Sequence, residues 1–221
     1  LLTGQPQFNF IKQVYKRPFN FSIQQHNLIF KNEVDFGKRF DIDIPKNGDF
    51  LHKLYFKFDL PALSITSGTY TGWTNSIGHA IIDYIDISIG NHIIDRHYGL
   101  YLEIWNELTQ DRGTNAENQL IGKFDIISFL QINAVSSSTY IVPLKFWFCD
   151  NIASALPLAS LIYHPVKLIF KLKPFNDCVI FDGVSPPNPV SIQNASLLSE
   201  YIFIDDSERL KLIGSKQSYI I

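Results

Sequence analysis

The chain has 221 residues, 46% hydrophobic and 18% charged, with a formal net charge of −2. That balance places it among globular rather than disordered chains. It gives no electrostatic case for nucleic acid, whose phosphates call for a surplus of Lys and Arg on one face.

No apolar run reaches the roughly 18 residues of a membrane-crossing helix. Eighteen Phe, ten Tyr and three Trp supply rings for a core and for an interface. Two cysteines, Cys149 and Cys178, are too few for a disulfide framework and read as buried free thiols. The opening "LLTGQPQFNF" lacks the basic start and long apolar middle of a signal peptide. With no Met anywhere, the expectation is a removed start or an excerpt of a longer protein.

In chain order, residues 1–34 read as an arm leading into a first strand. "YKRPFNF" sets only two cations among its aromatics, so it reads as an extended arm docking on a neighbour rather than a nucleic-acid stacking patch. "RFDIDIP" puts Phe40, Ile42 and Ile44 on one face and Asp41 and Asp43 on the other, the period-two signature of a half-buried strand. "KLYFKFDLP" repeats it with Leu54, Phe56 and Phe58, and Pro61 ends the strand. "DYIDISIG" alternates Ile85, Ile87 and Ile89, then Gly90-Asn91 turns the chain into "HIID".

Residues 98–110 carry Tyr101, Ile104, Trp105 and Leu108 at helical spacing, one apolar stripe to dock on the sandwich or on a neighbour. "YIVPLKFWF" and "VKLIFKLK" are further alternating strands, with "NIASALP" a single helical turn between them. "LLSEYIFID" is apolar on both faces and reads as a central strand. Asp205 with Glu208 resembles a capping box opening a helix that Gly214 ends, and "SYII" begins another strand. Residues 61–78, 111–138 and 174–196 are rich in Gly, Ser, Thr, Asn and Pro and read as long loops. Many strands, few helices and no dividing linker predict an all-β antiparallel sandwich or jelly roll with short helices in its long loops.

Chemistry finds little purchase. Glu103 and Glu107 share a helix face, whereas a glycosidase needs carboxyls flanking its substrate about 5 to 5.5 Å apart. They read instead as solvent-side or interface polar groups. Six histidines include no His-x-His, and the five-residue step from His92 to His97 fits no common zinc spacing. Cys149 with His164 is the one Cys–His pairing to name, and no Gly-rich elbow surrounds any Ser. No phosphate-binding glycine loop occurs. The reading is a protein without catalytic, metal or cofactor site.

Five stretches together carry a resemblance: "LTGQPQFNFIKQVYKRPFNFS", "DFGKRFDIDIPKNGDFLHKLYFKFDLP", "IGHAIIDYIDISIGNHIIDRHYGLYLEIWNELT", "YIVPLKFWFCDNIASALPLASLIYHPVKLIFKL" and "SEYIFIDDSERLKL…SYII". In order and spacing they resemble the major capsid proteins of nucleocytoplasmic large DNA viruses, the iridoviruses, phycodnaviruses and mimivirus-like viruses. The resemblance implies the first viral jelly-roll β-sandwich of a double jelly roll. Residues 1–34 would be the arm and first strand, and 35–221 the roll, truncated near a last strand starting at Ser218. It places strands at about 35–44, 50–60, 80–90, 140–148, 164–173 and 197–204, with 111–138 and 174–196 as outward towers.

It also implies a homotrimer forming pseudo-hexagonal capsomers of an icosahedral shell. Partners would be neighbouring capsomers and minor capsid proteins. The shell would overlie an internal membrane without spanning it, with no direct nucleic-acid contact, and would be assembled in host cytoplasm into the virion. Candidate interface residues are aromatics beyond the needs of one core: Phe8, Phe10, Tyr15, Phe19, Phe21, Tyr101 and Trp105. The rival reading is a carbohydrate-binding, lectin-like jelly roll.

Overall fold

The computed structural model describes residues 20–65, 68–109, 115–124, 130 and 134–214. One four-stranded antiparallel sheet has the order β1 (Phe21–Ile29), β10 (Gln193–Ile204), β3 (Phe50–Leu60), β7 (Ser138–Pro143). The second runs β2 (Arg39–Ile44), β8 (Val166–Leu172), β5 (Ile82–Ile89), β6 (His92–Tyr98). A two-stranded ribbon pairs β4 (Thr71–Trp73) with β9 (Val179–Phe181). Eight strands in two sheets, with β10 returning between β1 and β3, make a jelly roll.

The alternating strands behave as their sequences predict. Ile42 and Ile44 of β2, Phe56 and Phe58 of β3, and Leu168 and Phe170 of β8 are buried between the sheets. Phe40 stacks on Phe170 at 5.3 Å, and Phe30 meets both edge-on at 5.0 and 5.6 Å. Phe56, from the opposite sheet, lies 5.0 Å from Phe170, so aromatic rings span the two layers. Cys149 and Cys178 are buried free thiols, each pushed up to about 12 by that burial. His164 is exposed, so Cys149 has no accessible partner role with it.

Gly90 and Asn91 both take positive φ, 58° and 68°, as the tight β5–β6 hairpin requires. On the outer side of that hairpin Asp86 is fully buried beneath Arg96, which donates to it at 2.6 and 2.8 Å and lies over the Tyr84 ring. β10 is central, as its two apolar faces predict, and Pro143 sits at the end of edge strand β7, where no ladder donor is missed.

Several expected boundaries move. The strand expected at 140–148 ends at Pro143, and Trp147–Asp150 form a helical turn instead. β10 starts at Gln193, earlier than expected, because a bulge at left-handed Asn194 carries the pairing past the irregular segment. The long loops are not bare: 61–78 contains β4, 174–196 contains β9, and 111–138 contains a helix, α3 (Asn115–Ile121). The two others of note are α1 (Ile77–Ala80) and α2 (Gly99–Thr109). The strand expected from Ser218 lies outside the described residues.

The loops 61–78, 111–138 and 174–196 leave and rejoin the sheets at one end. They interlock through backbone hydrogen bonds: Leu63 N to Ala134 O at 2.7 Å, Thr74 N to Cys178 O at 3.0 Å, and Ser76 N to Gly122 O at 3.1 Å. The other end carries the short turns at 45–49 and 90–91, segment 144–165, and a helix, α4 (Asp206–Gly214). There Arg209 pairs with buried Asp49 at 2.6 Å, tying α4 to the β2–β3 turn. Asp205 O accepts the first helical N–H groups, while its carboxylate faces Asn20 Nδ2 at 3.4 Å.

Candidate assembly surfaces

α2 follows β6 without a loop, so its position is fixed by the sheet. Gly99 begins it in close contact with the preceding helix. A Cβ there would meet His79 O at 2.2 Å, so only glycine lets α2 sit this close to α1. Leu102 and Asn106 turn inward, and Asn106 Nδ2 donates to Asn118 Oδ1 of α3 at 3.2 Å.

The apolar stripe read from the sequence therefore faces away from the core. Ile104 and Tyr101 are exposed, Leu100 is 70% exposed and Leu108 80% exposed. Trp105 is half-buried, its ring 6.0 Å from that of Tyr101. Tyr101 in turn leans on His97 at 4.6 Å, and His97 stacks on Phe146 at 4.6 Å. Burial pushes the His97 imidazole down against the pull of Asp95, 3.0 Å away. The stripe leaves large apolar side chains in water, where isolated helices of soluble monomers place polar ones.

The opposite flank of α2 closes a polar cleft of about 400 Å³. Here one expectation fails. Glu103 is no solvent-side group but the hub of a lock: it accepts from Ser76 Oγ at 3.0 Å and Lys123 Nζ at 2.8 Å, with His79 Nδ1 at 2.7 Å. Lys123 also holds Glu107, which is the exposed member of the pair. Burial pushes the Glu103 carboxyl up, but the hydrogen bonds from His79 and Lys123 outweigh it and hold the group at about 2. For Lys123, burial pulls down and the two carboxylates push up, with a net rise. The Ser76 hydroxyl is spent on the same carboxylate that Lys123 and His79 hold. Among the described residues, no three His, Cys, Asp or Glu side chains stand together as a metal cage.

Of the expected interface residues, Phe8, Phe10, Tyr15 and Phe19 lie outside the described residues. Phe21 opens β1 and is exposed; Tyr101 and Trp105 lie on α2, on the other sheet's side. Sequence reasoning missed Leu100, which the stripe pattern omitted. It also missed Ser76, His79 and Lys123, whose partnership with Glu103 spans separate loops and leaves no local signal.

The family model for the N-terminus of major capsid proteins matches residues 9–205, through every strand of both sheets. The chain belongs to this major capsid protein family. It is 35% identical to the major capsid protein of Pyramimonas orientalis virus, aligned over 100% of this chain and 54% of that one. Against the major capsid protein of Phaeocystis pouchetii virus it is 31% identical over 100% of this chain and 49% of that one. Among solved structures, the quasi-atomic PBCV-1 virus capsid superposes with a TM-score of 0.75 at 25% identity, covering 93% of this chain and 48% of that chain. The Faustovirus major capsid protein shares the fold, with a TM-score of 0.67 at 11% identity, over 94% of this chain and 58% of that one. The chain thus spans about half the length of the capsid proteins it matches.

Proposed function

We propose that this jelly roll is a shell-building unit of a large DNA virus, one half of a protein whose second jelly roll follows it. The carrying observation is the family match running continuously from residue 9 to residue 205, across both sheets. Three copies join into a pseudo-hexagonal capsomer, which meets neighbouring capsomers and minor capsid proteins over an internal membrane. The protein is carried in the virion after assembly in host cytoplasm, and it works by geometry rather than by chemistry or a cofactor.

A closed ring of three needs a head-to-tail contact, one patch against a different patch. Permanent contacts of this kind commonly bury more than about 2,000 Å² around an apolar centre. The outward stripe of α2, with Leu100, Tyr101, Ile104 and Leu108 beside Trp105, supplies one such patch. The arm residues Phe8, Phe10, Tyr15 and Phe19, with Phe21, supply another.

Imaging of purified particles tests the class: a hexagonal lattice of trimers containing this chain is the expected result. A particle whose lattice lacks it, or a full-length protein that sediments only as a monomer, overturns the reading.

A further inference from the structure

Towards its C-terminal end β10 sets apolar residues on the side that faces away from the core. Leu197 and Tyr201 point into the sandwich and are fully buried, whereas half-buried Leu198 and Ile204 and buried Ile202 alternate with them on the outer face, with Ser196 and Glu200 among them. The strand register extends this outer strip. Ile23 of β1 lies opposite Ile202 on one side and Phe50 of β3 lies opposite it on the other. Ile23 is 46% exposed, and Ile29, further along the same face of β1, is 76% exposed. An antiparallel sheet with one wet face alternates apolar inside with polar outside. The β1 part of this strip, with Ile23 and Ile29 exposed, breaks that rule.

β1 is also an edge strand: among the described residues it pairs with β10 alone. Such an edge offers a row of donors and acceptors to an incoming extended segment.

Building on the shell reading, we propose that this strip is the seat of residues 1–19 of a neighbouring copy. The segment fits by composition. It carries Phe8 and Phe10 in strand alternation, further apolar residues at Ile11, Val14 and Tyr15, and no acid. Its cations, Lys12, Lys16 and Arg17, meet Glu200, which sits on the same outer face between Leu198 and Ile202. It fits by length, since 19 extended residues reach about 65 Å and the nine of β1 span about 30 Å.

Asn20 is tied to Asp205, at the start of α4. A seat on the same copy is the competing outcome, and the two tags used below separate it from a seat on a neighbour.

Two experiments on the full-length protein test this. Both thiols of this jelly roll are buried, and the full-length protein without introduced cysteines, and each single-cysteine variant alone, serve as controls. One tagged variant carries Phe8→Cys, Phe10→Cys or Tyr15→Cys, and a differently tagged one carries Ile23→Cys. The two are co-assembled and mildly oxidised. A disulfide between the two tags for at least one arm position is expected. No link across the series, in particles that still sediment as oligomers, overturns this seat while sparing the shell reading. A monomer with and without the arm overturns both.

In the second experiment, deletion of residues 1–19 and Ile23→Asp each weaken self-association by about tenfold, the scale of an interface anchor. Combined, they weaken it no further than either alone. Multiplying effects, near a hundredfold, show that arm and strip act at separate places and overturn the proposal.

Discussion

The two ends of the jelly roll are closed differently. At one end the loops 61–78 and 174–196 and the connection 30–38 pack on one another: β4 and β9 pair, and Trp73 stacks on Phe36 at 5.9 Å and meets Phe175 edge-on at 5.9 Å. At the other, two turns are tight, segment 144–165 lays Phe146, Phe148, Leu156 and Leu158 into the sandwich, and α4 is held by an ion pair, Arg209 to Asp49. The long-loop end thus owes its order to loops packing on each other. The short-turn end owes it to one segment packed on the main core plus a few charge contacts. Long loops are tolerated in a shell protein when their inner stretches are pinned this way and only their tips, such as Val184, stand in solvent.

The largest expected break in this contrast is Trp73→Ala. Removing a fully buried indole at the long-loop end costs about 3–5 kcal/mol, read by denaturant unfolding. A loss under about 1 kcal/mol would mean the loops do not pack as a unit.

Next is Glu103→Gln, which cuts the lock between α1, α2 and Lys123. The folded carboxyl sits at about 2 against an ordinary 4.5, so its stabilising effect is present above about pH 4.5 and fades as pH falls towards 2. The variant is less stable by on the order of 2 kcal/mol at pH 7, after allowing for partial exposure, and the gap closes over that acid window. A gap that stays constant between pH 5 and pH 2 would show that the lock is not electrostatic.

Arg209→Ala, at the short-turn end, lowers the melting temperature by less than either, because its side chain is 40% exposed and the Asp49 carboxylate keeps the Ile204 N–H as a donor. A melting shift as large as that of Trp73→Ala would erase the distinction between the ends.

The smallest effect on folding comes from Leu108→Lys: unfolding free energy changes within about 0.5 kcal/mol, as for a surface site. Self-association of the full-length protein falls about tenfold. Unchanged association would remove α2 from the interface.

Much of the sandwich is legible in the sequence because period-two alternation is a local record of burial. Phe40, Ile42 and Ile44, or Leu168, Phe170 and Leu172, declare their inner faces without reference to anything else. β4 and β9 are three residues each and too short to show a period; only their pairing to each other makes them strands. α3, "NAENQLI", has few apolar residues to mark it as a helix. For α2 the period announces a helix but not which way it faces. A stripe of Tyr101, Ile104, Trp105 and Leu108 reads the same whether it meets the core or a partner. The inward choice is made by Gly99, Leu102 and Asn106; Gly99 is small and Asn106 polar, so a hydrophobic count sees only a lone Leu102 on that face. The Glu103 lock draws on three separate segments, so no local window contains it.

The buried Asp86–Arg96 pair bears on how the chain finds its register. β6 is an edge strand that itself carries a bulge at Ile94, skipped between the Ile87–Asp95 and Ser88–Ile93 pairs, and edges with bulges are where strands slip. A one-residue slip of β6 sets Asp95 or His97 opposite Asp86 in place of Arg96. Either way a fully buried carboxylate loses the cation that makes its burial tolerable, and in one case gains a like charge. Only one alignment of the hairpin is electrically neutral inside. α2 starts at the very next residue after β6, so that alignment also sets where along the surface the apolar stripe emerges.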